Sequence, residues 1–293
     1  MALLLTVLQI VLPVAILAFI GYAWVKRGHD YPQDFVSKVV MNLSVPPLVF
    51  TALMKTDVDP QALTTLTLAS LAGYAALTVV FWGVTAALRL DRKTFHAPLI
   101  FGNTGNVGLP LALFAFGQAG LGYAVVVFAV MIIWNFTVGI WLTSGGGAPW
   151  KALKEPAMIG TFLGAIFLWQ GWHTPLWLTH SLDLLGQIAI PLMLLTLGVA
   201  VARMSAQNIG RAFLLSLLRV VVCVVVAALI GWGLALEPMA FAVLVLQLSS
   251  PVAVTSYMLA TKYGGDAQEV AGLVIISTLL SVITLPLTLA FLI

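Results

Sequence analysis

Charge is what this sequence has least of. Acidic and basic residues together make up 8% of its 293 residues, against 61% hydrophobic. A soluble domain carries roughly 25% charged residues, so this chain cannot cover a globular surface with what it has. Cysteine is nearly absent as well. Cys223 stands alone in an apolar run, which excludes a disulfide within the chain and leaves the reading of a small buried hydrophobe. The ten acids (Asp30, Asp34, Asp57, Asp59, Asp91, Glu155, Asp183, Glu237, Asp266 and Glu269) all avoid the middle of the apolar runs, and His29, His96, His173 and His180 fall in loops or at run ends. No His, Cys or carboxylate cluster with metal-ligand spacing is visible, so no metal and no cofactor is expected. Proton coupling through a buried carboxylate is disfavoured for the same reason. The net charge of +3 is scattered through short loops and forms no basic face for nucleic acid.

What is present is apolar sequence in long runs. Run after run of about 20 uncharged residues is long enough to cross a hydrocarbon core about 30 Å thick as a helix, which makes this an all-α polytopic membrane protein. Ten spans are read: Leu4–Val25, Phe35–Met54, Ala62–Leu88, Pro98–Phe116, Leu121–Thr143, Ala157–Trp172, Leu182–Val201, Ala212–Leu234, Met239–Thr261 and Val270–Ile293. The sixth is short and runs into WQGWHTPLW, whose tryptophans suit the headgroup layer. Lys26 and Arg27 follow the first run instead of preceding it, which is not the order of a cleavable signal peptide.

Loop charges orient these spans. The loops after spans one, three, five, seven and nine hold Lys26, Arg27, Lys38, Arg89, Arg92, Lys93, Lys151, Lys154, Arg203, Arg211 and Lys262, while the other set holds only Lys55. Positive loops stay cytoplasmic, so both termini are expected on the far side of a plasma membrane. The longest connection, SGGGAPWKALKEP, divides the chain into two five-span halves, residues 1–145 and 146–293. An odd number of crossings per half makes any repeat an inverted one. The halves echo each other: NLSVPPLVF in span two stands against QIAIPLMLL in span seven, and GNVGLPL in span four against QLSSPVA in span nine.

Two of these echoes break a helix where a membrane span should be regular. Proline removes a helical hydrogen bond and glycine weakens the helix, and in lipid the freed backbone groups must be buried in protein or line a wet cavity. FGNTGNVGLP in span four and QLSSP in span nine therefore read as helices interrupted near midplane, at matching positions of two oppositely oriented halves, the sequence pointer to a transporter's binding site. Half-helix N-termini would direct partial positive charge at one place. The candidate substrate-binding residues there are Asn103, Gly105, Asn106, Pro110, Ser249, Ser250, Pro251 and Thr255, with Asn42 in span two. Close helix packing is the alternative use of Gly102, Gly105 and Gly108. Their GxxGxxG spacing, with no strand before and no GK[ST] after, is not a nucleotide loop.

Other intramembrane features take structural readings. Pro13, Pro46, Pro47, Pro191 and Pro286 read as kinks, and Gln9, Gln187 and Gln247 as interhelical hydrogen-bond partners. Arg219 is the one basic residue well inside a span. Such charges are functional candidates, but this one is within reach of the cytoplasmic interface, and anchoring there by snorkelling is favoured over substrate contact. An intramembrane hydrolase would need a nucleophile with a positioned base. Ser249 and Ser250 have no histidine or lysine at their depth, so an enzyme is not expected.

At GNTGNVGLPLALFAFG and SSPVAVTSYMLATKYGGD, supported by NLSVPPLVF and IPLMLLTLG, the chain resembles the auxin efflux carrier family in its bacterial branch. It lacks the long central loop of plant PIN-type carriers. The resemblance implies a fold shared with bile-acid and sodium/proton carriers: two inverted five-helix repeats, with discontinuous crossed helices at spans four and nine. It also implies a scaffold of spans one, two, six and seven, through which a homodimer would form. A mobile core of spans three to five and eight to ten would slide past it in an elevator-like cycle. By motif match it maps the crossover prolines to Pro110 and Pro251 and the adjacent amide to Asn106. The implied substrate is a small organic anion, a mono- or dicarboxylate, carried under the membrane potential. A sodium- or proton-coupled carrier of another solute is the alternative.

Overall fold

The computed structural model describes residues 2–55, 59–144, 155–205 and 208–292. The boundary at 145/146 and Asp57, Lys151, Lys154 and Ile293, which the sequence reading used, lie outside the described residues. Among those described, every regular element is helical, in twelve segments: α1 Ala2–Lys26, α2 Gln33–Met54, α3 Pro60–Ala87, α4 Arg92–Ile100, α5 Thr104–Leu142, α6 Pro156–Gln170, α7 Leu176–Gln187, α8 Ala189–Arg203, α9 Ile209–Gly233, α10 Pro238–Leu248, α11 Val254–Tyr263 and α12 Ala267–Leu292.

The irregularities sit where proline and glycine put them. In α2 a π-helical turn at Val40–Ser44 precedes Pro46 and Pro47. These prolines lack the N–H groups that would bond carbonyls four residues back, and the wider turn absorbs the loss. A second π turn, Thr104–Gly108, precedes Pro110 in the same way. Within α5, Gly117 takes φ 65° and ψ −154°, so residues 104–116 and 118–142 are two helices joined at a sharp bend.

Among the described residues, seven stretches are long and apolar enough to cross a membrane: Gln9–Lys26, Gln33–Met54, Gln61–Ala87, Thr104–Leu142, Leu176–Arg203, Ile209–Gly233 and Ala267–Phe291. Two further apolar helices, α6 with 15 residues and α10 with 11, are shorter. Length explains the difference from the ten runs of the sequence. At 1.5 Å per residue α10 covers about 16 Å, roughly half the hydrocarbon core. Spans four and nine are each divided at their break, while spans four and five are continuous in helix apart from Gly117. The protein is a multi-pass membrane protein.

The helices pack in two groups. In one, α1 lies along α8, and α2 packs against α6 and α7. In the other, α3, α4, α5, α9, α10, α11 and α12 surround the breaks. The groups meet where α1 touches α5 and α12, α2 touches α5, and α8 lies over the π turn Thr104–Gly108. At the end of α2, Lys55 bonds Asp183 of α7 at 2.5 Å. The one basic residue on the sparsely charged side is thus held in an ion pair.

Candidate functional site

The breaks in spans four and nine come together. Residues 101–103, between α4 and α5, lie antiparallel to residues 251–253, between α10 and α11, through an isolated bridge of Gly102 with Val252. The Asn103 N–H donates to the Pro251 carbonyl at 2.6 Å, and the Ala253 N–H donates to the Phe101 carbonyl at 3.2 Å. Non-helical backbone at membrane depth needs partners from protein, and here each break supplies them to the other. Two further groups are met by side chains. The Val252 N–H donates to Ser277 Oγ of α12 at 3.0 Å, and the Ser250 carbonyl accepts from Arg219 Nη1 of α9 at 2.6 Å.

The chain paths through this bridge are anchored at both ends. The Asp266 N–H, just past α11, donates to Thr94 Oγ1 at the start of α4. The Tyr123 hydroxyl, beyond the bend at Gly117, bonds Glu237 ahead of α10. Four half-length helices therefore end at one place. α4 and α10 bring C-termini to it, and the π turn at Thr104 and α11 bring N-termini. The Asn103 carbonyl accepts from the Val107 and Gly108 N–H groups and so opens the second half-helix.

Small residues make this approach possible. A Cβ on Gly102 would stand 2.3 Å from Ser250 Oγ and 3.1 Å from the Ser250 carbonyl oxygen, and one on Gly108 would stand 1.9 Å from Gln247 Oε1. Both glycines are used for close packing, the alternative left open by the sequence. Gly105 has Phe128 and Met193 Cε of α8 against it.

The candidate residues take distinct positions. Asn103 is buried, 5% exposed, and its Nδ2 has no hydrogen-bond partner. Gly105 and Asn106 are partly exposed and Thr255 is exposed, on the opening turns of the two half-helices that leave the bridge. Pro110 and Pro251 are buried. Ser249 and Ser250 are buried with their hydroxyls donating back to the Val245 and Gln247 carbonyls, each at 2.7 Å, so their protons are committed within α10. Asn42 is exposed, and its Nδ2 closes on the Lys38 carbonyl of its own helix at 2.9 Å. Gln247 reaches across from α10 to the Ala124 carbonyl of α5 at 3.5 Å.

Arg219 departs from its sequence reading. It is fully buried, at 0% exposure, and bonded at the break, not drawn to the interface. Midway along a helix enclosed by α3, α10 and α12, it is closer to unpaired backbone than to water, and a cation takes the nearest acceptor. Ser277 and Tyr74 were missed altogether. Tyr74 of α3 stacks on Phe101, with ring centroids 6.2 Å apart. A serine and a tyrosine in apolar helices carry no sequence signal that sets them apart.

Two grooves open elsewhere on the surface. One, of about 700 Å³, lies between α2, α3, α5 and α6 and includes Leu53, Gln61, Thr67, Phe162 and Trp169. The other, of about 440 Å³, lies along α9, α10 and α12. Both are predominantly apolar and neither is lined by residues of the bridge. Their polar groups, such as Gln61, are few and scattered along apolar walls, so the polar break is the stronger candidate. Among the described residues no three His, Cys, Asp or Glu side chains gather in a way that would hold a metal ion.

Comparison with known proteins places this architecture. A family model described as "Membrane transport protein" matches residues 6–149 and again 142–289. The chain is 28% identical to a protein of Methanothermobacter thermautotrophicus named "Uncharacterized transporter", over 95% of this chain and 96% of that one. It is 26% identical to an uncharacterized transporter of Methanocaldococcus jannaschii, over 96% and 97%. It is 25% identical to a protein of Rhizobium meliloti named "Putative malonate transporter", over 94% and 92%.

Proposed function

This chain belongs to the membrane transport protein family, the auxin efflux carrier family that its motifs resemble, and we propose that within it the chain is a secondary transporter of a small organic anion. The family and its relatives are transporters, not enzymes. The observation that carries the proposal is the bridged pair of helix breaks. It brings the N-termini of two half-helices and the amides of Asn103 and Asn106 to one place. Such a site favours negative charge. A dicarboxylate such as malonate is the first substrate to try, because one relative carries that name.

In this reading the chain crosses a bacterial plasma membrane ten times, as two inverted halves whose broken helices cross, with both termini away from the cytoplasm. The two matched stretches, 6–149 and 142–289, support the halves. Asn103, Asn106 and Thr255 receive the carboxylate. The group of α3, α4, α5 and α9 to α12 carries it past α1, α2, α6, α7 and α8, and two copies associate through the latter group. Sodium or proton coupling is the second reading. Counterflow in proteoliposomes across mono- and dicarboxylates, with and without sodium, tests both. Saturable exchange of an organic acid independent of sodium is expected, and a strict sodium requirement would favour the second reading.

A further inference from the structure

We propose that Arg219 supplies the fixed positive charge that binds one carboxylate of the transported anion. The proposal rests on the organic-anion reading above and gives it a residue that neither the motifs nor the comparisons assign. Arg219 is fully buried, and only one of its nitrogens is used for the backbone: Nη1 donates to the Ser250 carbonyl at 2.6 Å. Nε and Nη2 have no hydrogen-bond partner. These two N–H groups form one edge of the planar guanidinium, and such an edge matches the two oxygens of a carboxylate in parallel.

No acid among the described residues fills that role. The ion pairs among the described residues are Lys55 with Asp183 and Arg211 with Glu269, and neither involves Arg219. A buried unpaired cation is strongly unfavourable, and intramembrane arginines are usually paired or functional. The guanidinium is also pressed against the bridge, with Nη2 lying 3.0 Å from where a Cβ on Gly102 would stand. Further buried polar atoms of the bridge and of the helices packed on it lack partners: Asn103 Nδ2 next to Gly102 in sequence, Thr104 Oγ1, Tyr74 Oη of the ring stacked on Phe101, and Ser216 Oγ one turn earlier on α9. The set is rich in donors. Gln247 Oε1 and Asn135 Oδ1 are the unpartnered amide acceptors of the α5 and α10 region. An arrangement with donors in excess and one uncompensated positive charge is complementary to an anion.

One fixed charge matches one carboxylate. The second carboxylate of a dicarboxylate then rests on Asn103, Asn106 and the helix N-terminus at Thr104, which accounts for charge and amides lying side by side.

The competing role for Arg219 is that of a cap on the C-terminal end of α10, which a neutral donor would fill. Arg219→Gln keeps a donor for the Ser250 carbonyl and removes the charge, while Arg219→Lys keeps the charge. Purified full-length protein is titrated with malonate, acetate and sulfate, and with neutral malonamide, following thermal unfolding. We expect Arg219→Gln to weaken malonate binding by at least about 30-fold, with the ligand-free Tm little changed. Arg219→Lys should retain most of the affinity, and malonamide should not stabilise the wild type. Malonate binding to Arg219→Gln with wild-type affinity would overturn the proposal. If Arg219→Gln does not fold, equal stabilisation of the wild type by malonamide and malonate would overturn it instead. Organic-acid flux that survives Arg219→Gln unchanged sinks this assignment and spares the transport reading. Arg219-dependent sulfate binding without any organic-acid binding or flux overturns both the carboxylate assignment and the organic-acid reading, and so does binding of no anion on the panel.

Discussion

The Asn103 N–H donates to the Pro251 carbonyl at 2.6 Å, tying a helix break in the first half of the chain to one in the second. Each break exposes backbone that lipid cannot satisfy. Together with the bond from Ala253 to Phe101, this contact lets two irregular segments exist at depth in an otherwise helical protein. The expected consequences concern that junction first, and then the groups around it.

Gly102→Ala should loosen the junction. The added methyl would fall within 2.3 Å of Ser250 Oγ and 3.1 Å of backbone, an overpacking of about 1–3 kcal/mol. Gly83→Ala on α3, where nothing lies within 4 Å, is the control and should be neutral or slightly stabilising. Thermal unfolding of both purified variants measures the contrast.

Ser277→Ala removes the acceptor for the buried Val252 N–H. Leaving that donor unmatched should destabilise the protein by about 1–3 kcal/mol, and Ser277→Thr, which keeps a hydroxyl, should recover most of it. Equal stability of wild type and Ser277→Ala would show that Val252 finds another partner.

The breaks were legible in the sequence because proline, glycine and amides are conspicuous against Leu, Val and Ala. Pro110 and Pro251 mark where helical hydrogen bonds fail whatever surrounds them. The partners of the breaks were not legible. Ser277 resembles Ser281, the other serine of α12, and nothing in a single sequence states which backbone group it faces. Arg219 was visible as a charge, but its depth along α9 suited a side chain reaching the interface equally well. Only the packing of α3, α10 and α12 around it turns it inward. Gly117 was missed as a bend because a glycine in an apolar run is also a common packing residue. Spans four and five were read on either side of it, and the structure carries helix up to Gly117 from both sides and turns there without a loop.

The Lys55–Asp183 pair should matter little to stability. Their side chains are 41% and 26% exposed, and a solvent-screened pair contributes about 0–1 kcal/mol. A double-mutant cycle with Lys55→Ala and Asp183→Ala should give a coupling energy under about 1 kcal/mol.

Asn103→Ala and Asn106→Ala should each lower organic-acid flux by roughly tenfold or more, the loss of one hydrogen bond to a charged group, while unfolding temperatures stay close to wild type. Unchanged flux in both variants would remove the amides from the site and leave the transport class standing.

The most direct measurement is counterflow by the purified chain in liposomes, loaded with one mono- or dicarboxylate and challenged with the same labelled compound. The expected result is saturable exchange of at least one organic acid, malonate first among them, with no dependence on sodium. Failure to exchange any acid across a broad panel, by protein shown to be folded in the same liposomes, would contradict the central claim.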